Sequence, residues 1–307
     1  MAIDPDVAKV LANVRVMELS TVTKKGGLST KPMSAVWLPE TERIIMTTPL
    51  AYPQKVYNIR RDGRVGLFYS DFTGTDLAGA EAVLVQGTAQ APETVAAPQD
   101  IPEFWQNVFR RVPEASPDFG SEEYRTAMEW YYWRLPIVVT PERVHVADAV
   151  DAGGAWEPPL PETAAMTVRI ADALARYPTA VLCSRDASGY PFSARVTVAQ
   201  DGAGRLRVEP RQPFSGLPGP ANLLWHRHNG RSGEMHSLLV DGTLTQDGSA
   251  WAFLPERIPG QLASGRDESS YEAWIADGRQ RTHQYLAKRG LRPPEIDWAA
   301  LTAFAQS

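Results

Sequence analysis

Short alternating and β-branched runs dominate this chain, and they come in the same order in both halves. Residues 14–23 read as a strand that ends at the turn Lys24-Lys25-Gly26-Gly27. Residues 32–38 and 43–48 read as two more, joined by the polar turn Pro39-Glu40-Thr41-Glu42. Residues 65–69 and 81–89 follow. In the latter, Ala82, Leu84 and Gln86 alternate against Val83, Val85 and Gly87. Residues 136–148 close the first unit. Helical patterns are confined to 6–13, 52–61, 102–111 and 121–133. Val56 and Ile59 stand three apart in the second of these, and Ser121 caps the fourth ahead of Glu122 and Glu123. The second unit repeats the plan with a helix over 163–176, strands over 179–184, 192–198, 205–208 and 236–245, and a helical tail over 268–288. The fold class expected is mainly β with flanking helices, as two tandem antiparallel split β-barrels of Greek-key type forming a pseudo-dimer.

The repeat aligns residues 31–37 with 190–196, so that Ser34-Ala35 matches Ser193-Ala194. It aligns 43–49 with 205–210, and 83–88 with 238–243. Pro220-Ala221-Asn222 falls at the place of Gln54-Lys55-Val56, ahead of Leu223 to Arg227. A half that cannot bury a shared face alone buries it against its copy. The units are therefore 1–150 and 163–307, with a glycine- and proline-rich linker at 151–162. Only the first copy carries the lysine, so a second equivalent site is not expected.

Composition narrows the classes. A chain of 307 residues has room for about two domains. The net charge of −5 gives no reason to expect nucleic acid or a membrane surface as partner. One cysteine, Cys183, excludes an intramolecular disulfide and a cysteine metal cluster, and points to a reducing, cytoplasmic setting. No secretory signal pattern and no run of about 18 apolar residues is present. Nucleophile elbow, P-loop and dinucleotide fingerprints are absent.

Three segments carry a resemblance: Lys31-Pro32-Met33-Ser34-Ala35-Val36-Trp37, then Ile45-Met46-Thr47-Thr48, then Lys55-Val56-Tyr57-Asn58-Ile59-Arg60-Arg61-Asp62-Gly63-Arg64-Val65. Together they resemble the flavin-binding split barrels, which include pyridoxamine 5′-phosphate oxidase and its deazaflavin-dependent relatives. Gln86-Gly87-Thr88-Ala89 and Val139-Thr140-Pro141-Glu142-Arg143-Val144 match later strands of that plan. The resemblance spans residues 10–150 and, more weakly, 165–260. It implies dimers with flavin between two barrels, and hence a covalent version of that dimer here. It implies cofactor contacts from Lys31, Met33, Ser34, Ala35, Thr47, Thr48, Gln54, Lys55 and Gln86 of the first half, with Trp225 and Arg227 of the second as wall. It also places His226 on a helix and His236 in a strand. The chain departs from the oxidase where a Ser-Arg-Lys-like run meets the phosphate: Tyr52-Pro53-Gln54-Lys55 stands there.

Each residue has a plain alternative. Lys55 at a helix start either neutralises a phosphate or is a solvated surface lysine. Thr47 and Thr48 either meet ribityl and phosphate oxygens or end a strand as threonines commonly do. Arg60, Arg61 and Arg64 either attract a cofactor anion or line a solvated face. The run Trp130-Tyr131-Tyr132-Trp133 favours core packing, since consecutive residues face several directions. His226, His228 and His236 lack a carboxylate at metal-ligand spacing, so no metal is expected. Cys183 reads as an inert buried thiol. The reading is an FMN-dependent oxidoreductase moving hydride to or from a small organic substrate, as a monomeric pseudo-dimer or a homodimer, with no acid–base residue assigned. The alternatives are a deazaflavin-dependent reductase and a flavin- or haem-binding protein without turnover.

Overall fold

The computed structural model describes residues 3–77, 79–112, 117–153, 160, 164–202, 204–230, 235–259 and 268–306. The linker expected at 151–162 lies mostly outside them. Helix α1 (Pro5–Asn13) begins where Asp4 accepts from the Asp6 N–H at 2.9 Å, and it turns Val7, Val10 and Leu11 inward. β1 (Met17–Val22) returns through Gly26, at φ 82°, to β2 (Leu28–Met33). Then come β3 (Val36–Leu38), β4 (Arg43–Pro49), α2 (Gln54–Arg61), β5 (Arg64–Tyr69), β6 (Ala82–Gln90), α3 (Pro102–Arg111), α4 (Glu122–Tyr132) and β7 (Arg134–Ala147). The second half runs α5 (Met166–Arg176), β8 (Ala180–Arg185), β9 (Pro191–Gln200), β10 (Leu206–Pro210), β11 (Gly219–His228), β12 (Met235–Asp247) and β13 (Ala250–Arg257). It ends in α6 (Glu268–Arg289) and α7 (Trp298–Gln306).

Both sheets are antiparallel and share one strand order. The first reads β2-β1-β5-β6-β7-β4-β3 and is a half-barrel. The second is a closed six-stranded barrel reading β9-β8-β11-β12-β13-β10 and back to β9. Residues 191–196 of β9 pair with β8 and residues 196–200 with β10. β2 and β3 divide that task in the first half, and the break falls at Ser34-Ala35. The buried Arg111 guanidinium spans the break, donating to the Ala35 carbonyl at 2.6 Å and the Val14 carbonyl at 2.7 Å.

The correspondence reaches single residues. β6 bulges between Gln86 and Gly87, and β12 between Asp241 and Gly242. A Cβ on Gly87 would fall 2.2 Å from the Thr140 carbonyl oxygen, and one on Gly242 would fall 2.1 Å from that of Leu254. Both positions therefore require glycine. Thr88 bonds Glu142 and Thr243 bonds Glu256, each at 2.6 Å.

Three expectations are corrected. Residues 221–227 form strand, not helix: Ala221, Leu223 and Trp225 point into the second barrel while Leu224 points out of it, a period of two. β11 is thus the counterpart of β5, and His226 lies in a strand. The repeat also shifts by four residues at β2, because that strand begins at Leu28. Lys31 pairs with Leu19 as Ala194 pairs with Leu182, so Ala194 stands for Lys31 and Ser193 for Thr30. Finally, the tail follows the second barrel in sequence but packs on the first half. α6 lies on α4 and α7 on α3, and Tyr285 and Leu286 enter the core of the first sheet. Gly278 gives Trp130 room against α6.

The halves meet in reciprocal pairs. β2 packs on β11 as β9 packs on β5, and β1 on β9 as β8 on β2. Phe68, Ala82 and Leu84 interleave there with Val181, Phe192, Leu224 and Leu239. At the centre Ser20 contacts Thr30 at 2.8 Å and Ser193 at 3.4 Å, beside buried Cys183, whose thiol burial pushes up. A buried polar cluster crosses the same face. The Glu18 carboxylate takes His226 at 2.7 Å, Ser70 at 2.9 Å and Arg195 at 3.4 Å. His228 pairs with Asp71 at 3.1 Å.

Candidate cofactor site

Three cations of the first half, Lys31, Lys55 and Arg134, gather around the start of α2. Pro53 supplies the helix entry without any side-chain cap, so the first N–H groups of α2 are left for another acceptor. Lys55, one residue into the helix, donates to Thr48 Oγ1 at 2.8 Å, and Thr48 in turn donates to the Tyr52 carbonyl at 3.1 Å. Arg134 at the start of β7 donates through Nε to Thr47 Oγ1 at 2.8 Å, and its guanidinium lies over the rings of Tyr131 and Trp105 at 4.8 and 5.5 Å. Burial lowers the Lys55 ammonium to about 7, and the charges that add to this are Arg134 and Lys31, both positive. Burial likewise lowers Arg134. Lys31 is lowered by burial and held up in part by Asp241 of the second half, which is paired with Arg257 at 2.6 Å. Three cations thus converge, and among the described residues the carboxylate acting on them, Asp241, reaches only Lys31.

The tail stiffens this corner. Arg289 of α6 donates to the Tyr57 hydroxyl of α2 at 2.6 Å and lies over the Tyr57 and Tyr285 rings. Tyr52 stands edge-on to Trp130, which meets Trp274 of α6.

The structure brings together Lys31, Thr47, Thr48 and Lys55. It uses both threonine hydroxyls to hold the cations, since both residues are buried and already paired. Met33 packs at the edge of the first core, Ser34 donates to the Arg15 carbonyl at 3.2 Å, and Ala35 is buried under Arg111. Gln54 is exposed and bonds Asn58 at 3.1 Å. Gln86 belongs elsewhere: it donates to Asp186 and the Pro191 carbonyl and faces His145 at 3.1 Å, on the opposite side of the inter-barrel face. Trp225 fills the interior of the second barrel at 1% exposure, because it shares the inward phase of β11 with Leu223, and it does not face the Lys55 corner. Arg227 reaches Thr73 at 3.4 Å. Arg60 and Arg61 donate to the carbonyls of Ala91 and Val22, and Arg64 pairs with Asp62.

Sequence reasoning missed Arg134, Asp241 and Arg257. Arg134 has no local signal, since only the β4–β7 pairing brings it to Thr47. The other two were findable. Pro255-Glu256-Arg257 repeats Pro141-Glu142-Arg143, which marks β13 and, through the bulge, Asp241 as the counterpart of Gln86.

No protein-family model and no curated protein matches the chain. Solved structures do, each over about half of it. A conserved hypothetical protein of Mycobacterium tuberculosis is 21% identical over 48% of this chain and 86% of its own, with a TM-score of 0.36. An F420 reductase is 19% identical over 45% and 94%, at 0.32. The haem storage protein HutZ of Vibrio cholerae is 15% identical over 48% and 95%, at 0.31.

Proposed function

We propose that this chain is a flavin-dependent oxidoreductase, a covalent pseudo-dimer that holds FMN with its phosphate at the Lys55 corner. The observation that carries the reading is the convergence of Lys31, Lys55 and Arg134 at the uncapped start of α2. Gathering like charges costs free energy unless an anion joins them, and a phosphate dianion with three acceptor oxygens fits that donor set. Arg134 and Lys55 are held in place by Thr47 and Thr48, so they meet the phosphate pre-oriented. Bound FMN would supply hydride chemistry at its flavin ring, and the chain's share is position, charge and exclusion of water. Asp241 and Arg257 form the second half's contribution facing Lys31. His226, His228 and His236 are buried, the first two against Glu18 and Asp71, which gives the haem alternative no support.

The absorption spectrum of the purified chain, with mass spectrometry of the released ligand, tests this. A flavin spectrum and the mass of FMN are expected. A Soret band, a deazaflavin mass, or a colourless protein that does not take up added FMN would contradict it.

A further inference from the structure

The shared strand order gives the molecule a second region, related to the Lys55 corner by exchange of the halves. A cavity of about 230 Å³ lies there, between β5, β6 and β7 of the first half and β9 and the 211–218 loop of the second. It lacks the cations of the Lys55 corner. Ala194 stands where Lys31 stands, and Glu209, opposite Thr197 and one residue past Val208, stands where Thr47 stands. No helix separates β10 from β11, so there is no counterpart of Lys55. The residue in register with Arg134 is Gly248. Each cation of the Lys55 corner is therefore without a counterpart here.

Phe68, Leu84 and Phe192 form its walls. Phe214, from the loop that replaces α2, backs Phe192 edge-on at 5.7 Å and reaches Trp251. Gln212 and His145 at the edge are already paired. Gln212 accepts from the Arg195 N–H at 3.0 Å and donates to the Asp148 carbonyl at 2.8 Å. His145 is bonded to Gln86 and stands edge-on to Phe192 at 5.1 Å. Burial and the Arg143 charge lower the His145 imidazolium, which favours the neutral ring.

We propose that this cavity is a binding site for a small, uncharged aromatic molecule. An apolar cavity of about 150 Å³ is enough to hold one benzene ring. This one has room for a fused pair of rings, aromatic walls for edge-to-face contact, and no lysine or arginine among its lining residues. The inference stands on the cavity and the register, not on the identity of the cofactor at the Lys55 corner.

The test is a fluorescence titration of the full chain with 2-naphthol, in the wild type and in Lys55→Ala. Saturable binding of one equivalent, equal in both, is expected. Ala147→Phe at the half-buried mouth should weaken it by about tenfold or more, and Ala82→Leu in the buried floor should do the same. In the Lys55→Ala background, 2-naphthyl phosphate should bind at least about tenfold more weakly than 2-naphthol. Should Ala82→Leu fail to fold, Ala147→Phe decides alone. Absence of saturable binding, indifference to Ala147→Phe, loss in Lys55→Ala, or equal binding of the phosphate ester would each overturn the proposal.

Discussion

Glu18 on β1 and His226 on β11 meet at 2.7 Å across the joint between the halves, 208 residues apart and both fully buried. The same carboxylate oxygen serves Ser70 and Arg195. One acidic group thus ties two cationic or ionisable side chains of the second barrel to the first. Removing one partner from a buried charge cluster leaves the others uncompensated, at a cost of about 3–5 kcal/mol. Glu18→Ala should lower the urea midpoint accordingly. A midpoint close to wild type would show that the joint does not depend on this contact.

Asp71 lies next to that cluster. Burial raises its carboxyl, but the bond and charge of His228 and the charge of His226 outweigh burial and hold it well below the usual range. A carboxyl lowered in the folded state lends stability above its unfolded value and loses it as pH falls toward the folded one. Asp71→Asn should therefore be destabilised at neutral pH and show a shallower acid limb below about pH 4. Parallel acid limbs for the two proteins would refute the assignment.

Gly87 and Gly242 make a matched pair. Alanine at either drives a Cβ into a backbone carbonyl oxygen that cannot swing aside. Overpacking of this kind costs about 1–3 kcal/mol. Thermal unfolding of Gly87→Ala and Gly242→Ala should show similar losses, since the two bulges have the same geometry. A loss at one position with none at the other would break the equivalence of the halves.

Lys55 links pH to both stability and binding. Its folded value of about 7 lies below the ordinary lysine value of 10.5, so the unfolded chain binds the proton more tightly between them. This group then makes the free protein more stable as pH rises through that window. A bound phosphate requires the charged ammonium, so FMN affinity should fall over the same rise. Lys55→Met should flatten both trends. Urea unfolding without ligand, and FMN titration from about pH 6 to about pH 9, check the two signs.

Strands were legible where alternation is clean, as in β6 and β12. They were not legible at β2, whose polar Ser29, Thr30 and Lys31 resemble a turn until pairing with β1 extends them. β11 misled because Asn222, Leu223, Leu224, Trp225 and His226 are buried on both faces, one in the barrel and one in the joint, which erases the period of two. Of the site, the Lys55 segment could be read from its resemblance. Arg134 could not, because it reaches Thr47 only through a strand pairing 87 residues away in sequence.

The central claim is that the Lys55 corner holds the phosphate of a single FMN. Equilibrium titration of the ligand-free chain with FMN, for wild type and Lys55→Ala, tests it most directly. One charge-assisted contact is worth about 1.5–3 kcal/mol, or about 10- to 150-fold in affinity. The account predicts saturation at one FMN per chain and a loss of that size in the variant. Two tightly bound equivalents, or equal affinity for the two proteins, would contradict it.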